Sequence, residues 1–189
     1  MKSKIHEHNS SNIIAAGKKL FLVVAFIATA FVQQGFAQLV PPQREDSTKA
    51  NQLSALLNSY YGIKNALVNS DATVAAAKAN ELVKAIDAVD MKTLSTTDHN
   101  AFMAAQDNLK TDAQTIAASN KIEAQRTAFS TLSNNIYTLA KAAKLSTEPV
   151  YQEYCPMKKM YWLSSEAAIK NPYYGKAMFT CGKVTETIN

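Results

Sequence analysis

The stretch Leu53-Ser54-Ala55-Leu56-Leu57-Asn58-Ser59-Tyr60-Tyr61-Gly62-Ile63-Lys64-Asn65-Ala66-Leu67 decides the fold. Leu53, Leu56, Leu57, Tyr60, Ile63 and Leu67 recur at spacings of three and four, which places them on one helical face. From residue 43 to residue 148 the chain has no proline and one glycine, Gly62, amid abundant Ala, Lys, Leu and Gln. Such residues favour helix, and the usual breakers are missing. A first helix is therefore predicted from about Ser47 to Asn69. Ser70-Asp71 offers an N-cap to a second, whose face is Val74, Leu82, Val83, Ile86 and Val89. After a break near residues 90–95, Thr96-Thr97-Asp98 restarts the chain, and the third helix carries Phe102, Met103, Leu109, Ala113 and Ile116. A polar joint at Ser119-Asn120-Lys121 leads to the fourth, with Ile122, Phe129, Leu132, Ile136, Leu139 and Ala143 repeating the spacing to about Lys144. Short joints make neighbouring helices antiparallel, so the expected fold is mainly α, an up-down four-helix bundle over residues 47–146.

Upstream, Leu20 to Val32 is an uncharged apolar run preceded by Lys18-Lys19 and followed by Gln33-Gln34-Gly35-Phe36-Ala37. It is too short for a spanning helix, which needs roughly 20 apolar residues, and has the length of a secretory h-region. Residues 1–37 are read as a signal peptide cleaved after Ala37, with an uncleaved tether as the alternative, and residues 38–46 as a short tail. Localisation in a periplasm follows, with no membrane insertion once the leader is removed. Charge supports the division. The whole chain holds 20 Lys+Arg against 15 Asp+Glu, and the leader takes Lys2, Lys4, Lys18 and Lys19 but only Glu7. The rest is nearly neutral, without the footprint of a nucleic-acid binder or a polybasic anchor.

Downstream the composition changes. Pro149 to Asn189 holds both Cys, the only Trp, five of the eight Tyr and three of the six Met. Residues 147–189 are read as an irregular Cys/Met/aromatic module forming one domain with the bundle. Val150–Tyr154 and Met160–Leu163 suit short extended segments, Ser164-Ser165-Glu166 suits the cap of a brief helix through Lys170, and Asn171-Pro172 starts a turn with Gly175 free for a positive backbone angle.

Enzyme motifs are missing from the sequence: no Gly-rich phosphate loop, GxSxG, HExxH or CxxC. Beyond the leader the only His is His99, which removes most general-base and triad arrangements. A non-catalytic protein is expected. Within the module, Cys155 with Met157 and Met178 with Cys181 form two soft-donor pairs, and Met160 is a possible extra donor. Thiolate and thioether without carboxylates or several imidazoles select Cu(I) over harder ions. The spacing of three from Met178 to Cys181 lets both face one side of a turn. Residue type alone leaves the cysteines open between this metal site and a structural disulfide, the more common fate of two Cys in an exported chain. Trp162, Tyr154, Tyr161 and Tyr173 are either the shield of such a site or the module's own core. Arg126 either ties the tail to the bundle through a carboxylate or lies on a solvated face.

The motifs Val150-Tyr151-Gln152-Glu153-Tyr154-Cys155-Pro156-Met157, Tyr161-Trp162-Leu163-Ser164-Ser165-Glu166 and Ile169 to Val184 (IKNPYYGKAMFTCGKV) resemble the exported domain known as domain of unknown function 3347. The similarity reaches back through residues 85–94 (AIDAVDMKTL), Asp98 to Met103 and residues 122–136 (IEAQRTAFSTLSNNI), the tail carrying the more specific motif. The family pattern has a small residue and a polar insertion between CPM and YWLS, where this chain has only Lys158-Lys159-Met160. The resemblance implies a periplasmic protein of heavy-metal handling, with copper or silver as the metal. It also implies a periplasmic adaptor of a heavy-metal efflux system as the partner, and it strengthens Cys155, Met157, Met178 and Cys181 as the ligand set.

Overall fold

The computed structural model describes residues 44–189, with side chains from Gln52 onward. The expected leader (1–37) and the tail up to residue 43 lie outside the described residues. Four helices come first, α1 (Arg44–Val68), α2 (Ala72–Asp87), α3 (Thr96–Ala117) and α4 (Ile122–Ala142), followed by β1 (Val150–Cys155), β2 (Met160–Ser164) and β3 (Lys183–Ile188). A short 3-10 turn, Met91–Thr93, joins α2 to α3, and another, Gly175–Met178, precedes β3. The fold is mainly α, as the spacing predicts. Helix α1 begins at Arg44 rather than near Ser47. No helix among the described residues is long and apolar enough to cross a membrane.

Consecutive helices pack on one another and α4 also meets α1. Their shared core includes Leu56, Tyr60, Ile63, Leu82, Phe102, Leu109, Ile116, Phe129, Leu132 and Ile136. Two residues assigned to buried faces do not reach it: Val74 is 42% and Met103 47% exposed. In α2 the buried stripe is Ala75, Ala79, Leu82 and Ile86, and in α3 Phe102 and Ala105 flank the exposed Met103. Small alanines let the helices approach closely, and a period count that weights large side chains passes over them.

The joint between α1 and α2 does two jobs. Ser70 and Asp71 donate their backbone N–H groups to the carbonyls of Leu67 and Ala66, a Schellman closure of α1 with Ser70 at φ 59°. The Asp71 carboxylate then accepts from Val74 N–H at 2.9 Å and caps α2. Ser95 caps α3 in the same way through Asp98 N–H.

The C-terminal segment is a three-stranded antiparallel sheet in the order β2-β1-β3. β3 is a strand that the sequence reading left out. The brief helix expected from Ser164 to Lys170 does not form; the chain there runs through bends. Its two local signals are present, since Glu166 N–H donates to Ser164 Oγ and Lys170 pairs with Glu166. Ser164, however, is held in β2 opposite Tyr151, and its hydroxyl also accepts from Lys64 Nζ at 3.2 Å. The residue is anchored as strand, and the turn at Asn171-Pro172 leaves too few residues for a helix to nucleate.

Candidate functional site

Cys155 ends β1 and is fully buried; Cys181 lies two residues before β3 and is half-buried. Both are free thiols, and the β1–β3 register, in which Tyr154 pairs with Lys183, brings them near each other; partial burial pushes the Cys181 thiol pKa up, and the neighbouring Cys155 adds to that. The chain makes this approach in two steps. Cys155 C=O accepts from Lys159 N–H at 2.8 Å, closing the β1–β2 hairpin with Lys159 at φ 57°. After the 3-10 turn, Cys181 N–H donates to Met178 C=O and its own carbonyl accepts from Asn171 Nδ2 at 2.6 Å. Gly182, at φ +155°, follows, and a Cβ there would come 2.9 Å from Trp162 Cη2 and 3.1 Å from Tyr154 O. Only a residue without a side chain lets the backbone cross the indole so closely.

The thioethers are placed less alike. Met157 sits in the hairpin turn and is 63% exposed, and Met178, at the end of the 3-10 turn, is 37% exposed. Met160 is half-buried and directly opposite Cys155 in the β1–β2 ladder, so the two side chains share a face. Among the described residues no three His, Cys, Asp or Glu side chains gather around a common point. The donor set here is two thiols with thioethers in chain neighbours, which fits a soft monovalent cation of low coordination number and lacks the four ligands of a structural zinc site.

The aromatic residues divide between the two faces of the sheet. Trp162 and Tyr173 are buried, Trp162 edge-on to Tyr173 at 5.9 Å between ring centres. Tyr173 continues through Phe129 at 6.0 Å to Tyr60 at 5.1 Å, a column that joins the module to the bundle. Tyr154 and Tyr161 pack together at 4.6 Å on the opposite face, alternating along their strands with Cys155 and Trp162. Shielding of the thiols on the bundle side therefore falls to Trp162 and Tyr173.

Polar anchors fix this arrangement. Arg126 of α4, only 8% exposed, donates from Nε to Pro172 O at 2.9 Å and from Nη2 to Ser70 Oγ and Leu67 O. It ties the tail to the bundle, through carbonyls and a hydroxyl rather than a carboxylate of the tail. Gly175, at φ +55°, is what admits it: a Cβ there would lie 2.8 Å from Nη2 and 2.6 Å from Ser70 Oγ. Asn171, fully buried, accepts at Oδ1 from the N–H groups of Tyr173 and Tyr174. Tyr60 OH accepts from Leu163 N–H and is hydrogen-bonded to Ser133 Oγ.

Sequence reasoning passed over two buried polar groups near the thiols, Glu153 and Lys64. Glu153, fully buried on β1 and opposite Trp162 in the ladder, has no hydrogen-bond partner for either carboxylate oxygen. Burial pushes its pKa up to about 7, while Lys64, and more weakly the nearby Trp162 indole N–H, pull it down. Lys64 is also buried, and burial lowers its pKa against the pull of Glu153. The signal was available: Glu153 stands two residues before Cys155, the spacing that puts both on one face of a strand.

The sequence model of a family described as a protein of unknown function, DUF3347, matches residues 56–148. No curated protein and no solved structure matches the chain. The matched span stops just short of β1, so it rests on the helices and not on the tail motif that looked the more specific. Over residues 56–148, which hold the second half of α1 and all of α2, α3 and α4, the chain belongs to the DUF3347 family.

Proposed function

We propose that the protein is an exported, non-catalytic binder of a soft monovalent metal, Cu(I) first and Ag(I) second, acting in heavy-metal handling. In this reading Cys155 and Cys181 are the thiolate ligands. Met157 and Met178 supply thioethers from the flanking turns, with Met160 as the third thioether in the neighbourhood. The observation that carries the reading is the meeting of two free thiols, one buried and one half-buried, at the end of the sheet. A thiolate pair prefers a soft cation, and loading it displaces the thiol protons, so affinity rises with pH. Trp162 and Tyr173, both buried, keep bulk water from the bundle side of the pair. The efflux adaptor remains the proposed partner in this reading.

An anaerobic Cu(I) titration against a chromophoric Cu(I) chelator tests this. One tight equivalent is expected, weakened at least about a hundredfold in Cys155→Ser/Cys181→Ser. Equal affinity in that variant would sink the assignment.

The same meeting of thiols also favours a second reading, a disulfide that staples the module. Closing a loop of this length would contribute about 3 to 4 kcal/mol. A melting temperature that falls on reduction and ignores added copper would select it.

A further inference from the structure

Among the described residues, five of the seven exposed large apolar side chains lie in the sheet module: Met157, Tyr161, Met178, Phe179 and Val184. Topology brings them to one end. The β1–β2 turn carries Met157, and because β3 runs antiparallel to β1 its first residues, Lys183 and Val184, start at that same end. The 3-10 turn that leads to Met178 and Phe179 reaches β3 within a few residues. Lys158, in the hairpin turn, stands 5.1 Å over the Tyr174 ring and links the two loops.

Charge at this end is one-sided. Lys158, Lys159, Lys176 and Lys183 are all exposed, and none makes a salt bridge among the described residues. From Cys155 to Val184 there are five lysines and a single carboxylate, Glu166, which is already paired with Lys170. The carboxylate of β3, Glu186, is likewise engaged by Lys141 and Tyr137. The surface thus interleaves exposed aromatic and thioether side chains with unpaired ammonium groups.

We propose that this end of the sheet is a docking surface for an acidic polypeptide segment that carries apolar anchors. Aromatic and Met side chains are the types enriched in interface cores, and Met adapts to varied partners. Unpaired lysines around them select a negative partner and speed the encounter. An anionic lipid surface is the lesser match, because the segment has no amphipathic helix to lay its apolar residues into a headgroup layer. The surface shares Met157 and Met178 with the metal reading but goes beyond it, since Tyr161, Phe179, Val184 and the four lysines belong to the surface alone.

The test uses the purified protein and a fluorescein-labelled synthetic peptide of alternating Glu with Phe and Leu, with phosphatidylglycerol vesicles in parallel. Saturable peptide binding is expected, weakening as salt is raised, and losing about tenfold or more in Lys158→Glu/Lys183→Glu and in Phe179→Ala. Amide exchange should slow at residues 156–161 and 176–184 on binding, and Cys155→Ser/Cys181→Ser should bind the peptide as the parent does. Absence of peptide binding, unchanged affinity in either surface variant, or sedimentation with the vesicles alone would overturn the proposal.

Discussion

Helix α4 is held by apolar burial along its length, with Phe129, Leu132, Ile136 and Leu139 inside. Strand β1, a few residues later, buries Glu153 and Cys155 together with Val150. The bundle gains most of its stability from non-directional removal of apolar surface, which tolerates small displacements. The module instead depends on directional contacts to Arg126, Asn171 and Tyr60, each of which fixes a particular backbone group. Fine positioning of two thiols is served by the second kind of attachment, and a robust scaffold by the first.

The contrast can be broken at Phe129, where the two regimes meet. Phe129→Ala is expected to cost about 3 to 5 kcal/mol in urea unfolding, because the ring packs on both Tyr60 and Tyr173. A loss below about 1 kcal/mol would mean that the column does not join the two regions. Arg126→Met should cost about 2 to 4 kcal/mol by leaving the Pro172 carbonyl unpaired and the Ser70 hydroxyl without its donor. Its effect should fall on the module first, so that fluorescence of Trp162, the only tryptophan, changes before helical circular dichroism does. Coincident loss of both signals would show that the sheet has no separate attachment.

Glu153 sharpens the comparison by pH. Its carboxyl is held near 7 in the fold against 4.5 ordinarily, so the folded protein keeps this proton where the unfolded chain has released it. The contribution is fully present below about pH 4.5 and is lost as pH rises through about 7, a fall of about 2 to 3 kcal/mol. Glu153→Gln should remove that slope from the stability profile; an unchanged slope would place the titration elsewhere. The smallest effect is expected in the bundle alone. Asp71→Ala removes the cap on Val74 N–H and should cost about 1 kcal/mol without changing the reactivity of either thiol.

The helices were legible because each carries its own evidence. Leu53 to Leu67 shows the face, the missing prolines allow the length, Asp71 marks a start through a contact within three residues, and at α3 the cap is Ser95, the residue before the Thr96-Thr97-Asp98 restart. β3 was not legible: Lys183–Ile188 is mostly exposed, and what makes it a strand is pairing with β1, about thirty residues earlier. The residues 165–170 misled for the opposite reason, since their local helix signals are real but Ser164 is committed to Tyr151 and Lys64. At the site, composition singled out Cys155, Cys181 and the three methionines, but only the ladder register sets Met160 opposite Cys155, and Lys64 emerged only from packing.

Native mass spectrometry of the protein isolated without air from cells grown with added copper tests the central claim most directly. A species heavier by one copper, missing in Cys155→Ser/Cys181→Ser, is the predicted result. A metal-free species lighter by two hydrogens would contradict it and make the thiol pair a disulfide.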